Sequence, residues 1–289
     1  MSPKLSIIGY GKHGQYLNKI LEELGIIAKN LISSSNLDQA QDAIADSDLL
    51  VLTCPPDKHN EYIDIALSSK NIKRIYLEKP FHLSASIANR LAISDIQVLT
   101  GLWLRETEIF SILSSNLSDF NYISIHHSHD WQIRNPSDHE GIANRLLIHF
   151  FDLIFSNFKG SIVSNSILVD SNTCCLQLQL QNKNKTLVHI FISYSSFPYS
   201  KIVASTGRSQ LILDDGNFLR LNGSNIIEGK GVSPGKPHTS DSLTSFSRLM
   251  RDSTRQRLHR FLFERIAPDD LTTALESEHK LQSLMEQIK

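Results

Sequence analysis

The first hundred residues alternate between two patterns. Residues 5–8, 26–33, 48–53, 73–77 and 96–101 are short apolar runs of strand length. Between them the apolar positions fall at helical spacing. After residue 14, Tyr16, Leu17, Ile20, Leu21 and Leu24 mark one face of a 3.6-residue period, and Gly25 stands where a helix-ending glycine belongs. Residues 36–45, with Asn36 as N-cap, and residues 60–69 and 85–93 also read as helices. Strand and helix in strict alternation predict a parallel sheet covered by helices on both faces. Such sheets bind ligands beyond the carboxyl ends of their strands. Gly9, Cys54-Pro55-Pro56 and Glu78-Lys79-Pro80, which end three of the runs, are therefore expected at one crevice.

The pattern then changes. Residues 121–128 alternate like a strand, and an almost wholly apolar helix follows Gly141. Strand-like runs at residues 166–169, 174–181, 186–194, 201–205 and 210–213, with a turn at 182–185, predict a mostly antiparallel sheet and hence an α+β second domain. Residues 222–240, rich in Gly, Ser and Pro, read as a loop, and residues 243–288 as helix broken near Pro268. Arg248, Arg251, Arg255, Arg257, Arg260 and Arg265, interleaved with Asp252 and Glu264, read as a solvated helix face. The division expected is a first, parallel-sheet domain over residues 1–118 and a second, α+β domain over 119–289.

Composition narrows the function classes. The chain of 289 residues is 40% hydrophobic, enough for two ordinary cores. Its formal charge of −1 argues against a nucleic-acid or membrane-surface binder. No apolar run reaches the roughly 18 residues that a bilayer span needs. Met1-Ser2-Pro3-Lys4 leads straight into the first strand and leaves no room for a signal peptide. Three cysteines, Cys54 and the adjacent Cys174 and Cys175, do not make a disulfide framework, so a reducing cytoplasm is the expected location.

The chemistry begins at Gly9-Tyr10-Gly11-Lys12-His13-Gly14, which follows a strand and opens a helix. That context is what a dinucleotide-binding turn requires: Gly9 for the tight turn, Gly11 for approach to a pyrophosphate, Gly14 for close helix–strand packing. The helix amides would face the phosphates. An NAD site expects an acid at the end of the second strand, for the ribose 2′-hydroxyl. Here Ser33-Ser34-Ser35 stands there and no acid precedes Asp38. The missing acid favours NADP over NAD, with Lys12 within reach of a 2′-phosphate.

On the apolar helix of residues 141–158, Arg145, His149 and Asp152 fall at i, i+4 and i+7 on one face. A polar stripe on a buried helix must be paired or must line a cavity. It reads either as a satisfied network, with Asp152 bonded to His149 or Arg145, or as an acid/base histidine in a cleft opposite Lys79. Lys79 ends a buried strand at the same edge as the glycine turn, where a lysine can hold a substrate oxygen or move a proton. His126, His127, His129, Asp130 and His139 form a rival cluster. On a strand, however, His126 faces away from His127 and His129, so no metal site is expected.

Taken together, Ile8 to Gly14, Thr53-Cys54-Pro55-Pro56 with His59, Glu78-Lys79-Pro80, Gly101 with Arg105, and Gly141 with His149 and Asp152 resemble the glucose–fructose oxidoreductase/inositol dehydrogenase (Gfo/Idh/MocA) family. The resemblance implies a Rossmann domain followed by a domain with a large open sheet, often used to form dimers or tetramers. It implies a bound NAD or NADP and hydride transfer at a carbinol of a sugar, cyclitol or related small molecule. Cofactor contacts would come from Gly9 to Gly14, Ser33, Ser34, Cys54, Pro55, Pro56, His59 and Glu78. Lys79 would orient substrate, His149 would be the acid/base, and Arg105, Asp152 and Trp131 would shape the substrate pocket. The chain departs from the family where an aspartate commonly precedes the histidine by four residues. Arg145 stands there, cannot act as a base, and suits a carboxylate or phosphate on the substrate. Two other readings stay open: a ligand-binding regulator that has lost catalysis, and an imine or tetrapyrrole reductase.

Overall fold

The computed structural model describes residues 3–130, 146–156, 158, 160–169, 173–195, 199–206, 208–214, 217–222, 225–230 and 245–286. The chain forms two compact units. One comprises Met1–Trp103 with Thr254–Glu278, the other Leu104–Ser253 with His279–Lys289. The sequence division after residue 118 differs from this grouping at both ends, for reasons that lie in the packing below.

The first unit is the expected parallel sheet. Strands β1 (Leu5–Ile8), β2 (Asn30–Ile32), β3 (Leu49–Leu52), β4 (Arg74–Leu77) and β5 (Gln97–Thr100) lie in the order β2-β1-β3-β4-β5, every neighbour parallel. Helices α1 (Lys12–Glu23), α2 (Leu37–Ala45), α3 (His59–Ser68) and α4 (Ala85–Ala92) connect them. Local chemistry sets their ends. Asn36 accepts from the Gln39 amide and Ser84 from the Ile87 amide, which caps α2 and α4. Gly25, at φ +79°, closes α1: its own amide bonds Glu22 and the Ile26 amide bonds Leu21, the paired pattern of a left-handed helix end. Strand β2 is shorter than the 26–33 run. It is an edge strand with only β1 beside it, and Ile27 is left exposed.

One face of this sheet explains the return of the C-terminus. Leu5, Ile7, Leu49, Val51, Tyr76 and Leu99 bury against Leu17, Ile20 and Leu21 of α1 and against Leu258, Phe261, Leu262 and Ile266. The latter belong to α7 (Ser245–Phe263) and the turn before α8 (Asp270–Glu286). The ring of Phe261 meets Tyr76 edge-on at 5.8 Å, and its carbonyl accepts from Arg74. Arg257 corrects the sequence reading of α7 as a solvated basic face, because its side chain is wholly buried. It donates to the Thr100 carbonyl at 2.5 Å, to Thr100 Oγ1 at 3.0 Å and to Asp270 at 2.6 Å. The other Asp270 oxygen accepts from the Thr100 amide and hydroxyl. One arginine and one aspartate thus fix α7 and α8 to the end of β5.

The second unit holds an eight-stranded sheet in the order β13-β12-β11-β10-β6-β9-β8-β7. The strands are β6 (Tyr122–Asp130), β7 (Ile162–Val169), β8 (Thr173–Leu180), β9 (Leu187–Ser195), β10 (Tyr199–Ser205), β11 (Ser209–Asp214), β12 (Asn217–Asn222) and β13 (Asn225–Lys230). All pairs are antiparallel except β6 with β9, so the sheet is mixed. β13 occupies residues expected to be loop. It pairs along β12 and its sequence, with two glycines nearby, carries only a two-residue apolar signal. Helix α5 (Glu108–Asn116), capped by Thr107, packs on α6 (Ile148–Phe155), which places residues 104–118 here rather than in the first unit. Every residue of α6 is buried, as its all-round apolar sequence requires.

Arg257→Ala should destabilise the protein by about 3–5 kcal/mol, since it strands the Asp270 carboxylate in the interior. A urea unfolding curve reads this directly. A loss below about 1 kcal/mol would mean that the pair acts no more strongly than a surface ion pair.

Candidate active site

The glycine turn has the geometry its spacing predicts. Gly9 sits at φ +98°, and a Cβ there would lie 2.3 Å from the Cys54 amide nitrogen, so β1 and β3 meet at a point where only glycine fits. A Cβ on Gly14 would lie 2.6 Å from the Gly9 carbonyl oxygen. That oxygen also accepts the Thr53 hydroxyl at 2.8 Å. Gly11 differs: a Cβ there would meet nothing within 4 Å. Its backbone opens onto space in front of α1, whose N-terminus has no side-chain cap and no acid in its first turn. Uncapped amides behind an open glycine fit a pyrophosphate, because the helix dipole favours negative charge there. Tyr10 is half-buried, its hydroxyl near Asn18, while Lys12 and His13 are exposed at the turn.

Across from the turn, Glu78 ends β4. Its buried carboxylate lies 3.0 Å from His13 Nε2 and accepts the Lys79 amide at 3.3 Å. A methyl group on Gly101 would come within 2.5 Å of it, so a side chain there would displace the carboxylate. Burial alone would raise the Glu78 pKa. The charge and hydrogen bond of His13, with Lys79 beside it, outweigh that and hold it below the usual glutamate value. Lys79 is half-buried and precedes a cis peptide to Pro80. His59 is buried between two carbonyls, Phe81 at 3.0 Å from Nδ1 and Cys54 at 3.1 Å from Nε2. Burial lowers its pKa although both carbonyls oppose that. Cys54 is buried too, which pushes its thiol up to about 12 and leaves it unreactive. Pro55 is exposed and Pro56 opens a short 3-10 turn ahead of α3.

At the end of β2 the exposed Ser33 hydroxyl lies 3.0 Å from that of Ser35, and the Ser34 carbonyl accepts the Tyr62 hydroxyl at 2.8 Å. The first acid after β2 is Asp38, in the first turn of α2. Hydroxyls and backbone, rather than a carboxylate, therefore form the rim where a ribose would lie.

In the second unit, His149 is buried on α6. Asp152, one turn on and fully buried, is gripped by Arg105: Nε donates at 2.8 Å to one oxygen and Nη2 at 2.7 Å to the other. The partner the structure gives Asp152 is Arg105, which the sequence reading does not pair with it. Arg145 and Trp131 lie outside the described residues, as does His139. His127 is buried against Phe150, ring centroids 5.0 Å apart, and within 3.3 Å of Ser200. His126 faces the other side of the sheet, 5.6 Å from His189. Among the described residues no three His, Cys, Asp or Glu side chains come together as a metal-binding set.

Sequence reasoning missed the groups that hold this edge from outside it. Glu278, on α8, accepts the Phe81 and His82 amides. Asn60, on α3, donates to the His82 carbonyl and accepts the Ser84 amide. The partners are about two hundred residues away in one case and more than twenty in the other, and no motif spacing links them.

No family model and no curated protein matches this chain. Solved structures do. A dehydrogenase (MviM) from Clostridium difficile superposes with a TM-score of 0.76 at 12% identity, covering 99% of this chain and 100% of that one. UDP-N-acetylglucosamine 3-dehydrogenase GnnA from Acidithiobacillus ferrooxidans gives 0.70 at 14%, covering 98% and 96%. An oxidoreductase from Agrobacterium radiobacter in complex with NAD+, L-tartaric acid and magnesium gives 0.68 at 12%, covering 98% and 95%. At such identities the likeness establishes the fold: a Rossmann-type parallel sheet followed by a second, mixed sheet, over essentially the whole chain. No described helix is long and apolar enough to cross a membrane.

Two predictions follow from this geometry. Gly11→Val should leave the protein folded and abolish nicotinamide-cofactor binding, because the side chain would occupy the pyrophosphate's space. Titration calorimetry with NAD+ and NADP+ checks it, and unchanged affinity would remove the turn from the cofactor site. For Glu78 the sign is set by its lowered pKa: its stabilisation is present above the ordinary glutamate value and is lost as pH falls through the folded-state value. Between about pH 5.5 and 3, unfolding free energy should therefore fall more for the wild type than for Glu78→Gln. Parallel pH profiles would mean that Glu78 titrates alike in the folded and unfolded chain.

Proposed function

We propose that this protein is a nicotinamide-dependent oxidoreductase of the Gfo/Idh/MocA family, acting at a carbinol of a sugar, cyclitol or sugar-derived substrate. One observation carries the reading. The uncapped α1 terminus behind the open Gly11 shares its sheet edge with Lys79, and the His13–Glu78 contact at 3.0 Å joins the two. A turn built for a pyrophosphate beside a half-buried lysine is the arrangement that hydride transfer at an alcohol uses.

In this reading the nicotinamide, when bound, takes or gives the hydride. The α1 amides and Gly9 to Gly14 hold its pyrophosphate. Ser33 and Ser34 face the ribose, and the absence of an acid there favours NADP. Lys79 holds the reacting oxygen, and by the family resemblance His149 takes its proton in the direction of oxidation. Arg145, in place of the family's aspartate, fits a substrate with a carboxylate or phosphate, such as a uronic acid or sugar nucleotide. The open face of the second sheet is the surface through which copies of the chain would form a dimer or tetramer, and the cytoplasm is the location that the cysteine usage suits.

The test is cofactor turnover, followed by nicotinamide absorbance, against a panel of polyols, uronic acids and sugar nucleotides. His149→Ala should lower kcat by about two to four orders of magnitude with cofactor affinity intact. Arg145→Ala should mainly raise KM, and only for acidic substrates. Cofactor binding with no turnover of any panel member would favour the ligand-binding regulator instead.

A further inference from the structure

We propose that Glu278, far along the chain on α8, is the positioning residue for Lys79; the inference rests on the role given to Lys79 above. Its carboxylate is buried, yet both oxygens are used. Oε1 accepts the Phe81 amide at 2.6 Å and Oε2 the His82 amide at 3.1 Å. A buried carboxylate needs such donors, and bonds to an ionised acceptor are the strong ones. These two amides are the first available after Lys79, since Pro80 between them has none.

The segment they hold is one that needs holding. His82 sits at φ +46°, a left-handed conformation that a side chain larger than glycine adopts at a cost and keeps only where its surroundings fix it. The fixing is complete on both sides. The Phe81 carbonyl takes His59 and the His82 carbonyl takes Asn60, which also receives the Ser84 amide. Those two anchors come from α3, within the sheet's own connections. Glu278 is the anchor from α8, and α8 is itself indexed to the sheet eight residues earlier, where Asp270 grips Thr100 and Arg257. Eight helical residues span about 12 Å. So α8 is clamped to the end of β5 by one carboxylate and sets the segment after β4 with another. The Lys79 backbone, which also donates to Glu78, is held from before and after.

A carboxylate that positions Lys79 has a signature that a merely stabilising one lacks. Glu278→Gln keeps the volume and one acceptor, so the fold is expected to survive. The probe is the full-length protein with its lysines reductively dimethylated with 13C-formaldehyde, a change that preserves their charge. Lys79→Arg identifies the Lys79 resonance. Glu278→Gln should shift that resonance, and should speed amide exchange at Phe81 and His82 by about tenfold or more relative to the rest of the sheet edge. Where the wild type turns over substrate, kcat should fall by about ten- to a hundredfold with cofactor affinity unchanged, the mark of misplacement rather than lost binding. An unmoved Lys79 resonance, with exchange raised evenly through the unit, would overturn the proposal. A shifted resonance in a protein that turns over nothing would support the positioning role and count against the oxidoreductase reading alone.

Discussion

The carboxylate of Glu78 joins the glycine turn to the end of β4. It is a buried charge, and removing one from water costs several kcal/mol unless partners replace the water. His13 and the Lys79 amide do so, and they hold the carboxyl below the usual glutamate value. Their geometry constrains much else. The carboxylate lies so close to β5 that a side chain at residue 101 would push it from its place. His13 reaches it from the first turn of α1, directly after the turn in which Gly9 packs on Cys54 and Gly14 on Gly9. The position of the turn and that of Lys79 are therefore one structural decision, although sixty-odd residues separate them.

A second set of buried charges does the same work from the C-terminus. Arg257 and Asp270 hold α7 and α8 at Thr100, and Glu278 holds the segment after Pro80. The apolar faces of these helices would cover the sheet in any case, and Leu258, Phe261 and Leu262 supply that area. Apolar burial is non-directional, however, and tolerates a helix sliding by a fraction of a turn. A bidentate carboxylate does not. The polar contacts set the register in which the apolar layer comes to rest. That accounts for placing expensive groups where leucines would serve for cover alone.

This division of labour explains what the sequence revealed. The alternation of strand and helix, the glycine turn and the Glu-Lys-Pro triplet are local patterns, because turns and periods are dictated by neighbours in the chain. The long-range polar contacts have no such period. Arg257 lies among four other arginines on α7, and charge counting does not detect that its side chain is buried. Asp152 was legible as a buried acid needing a partner, but the partner, Arg105, is 47 residues away. β13 and the parallel pairing of β6 with β9 were hidden for the same reason: pairing is decided by a strand's neighbours, and a weak apolar run joins a sheet when an edge is available to it.

The Arg105–Asp152 pair also bears on how the second unit could select a substrate. A guanidinium donating to both oxygens of a carboxylate, with 7% and 1% of the two side chains exposed, leaves the pair neutral as a unit. Its first effect is on the interior: it satisfies an acid in the middle of an apolar helix and ties that helix to residue 105. Neutral as it is, it adds no charge to attract or repel an ionic substrate. If this unit discriminates by charge, the discrimination falls to groups outside the pair.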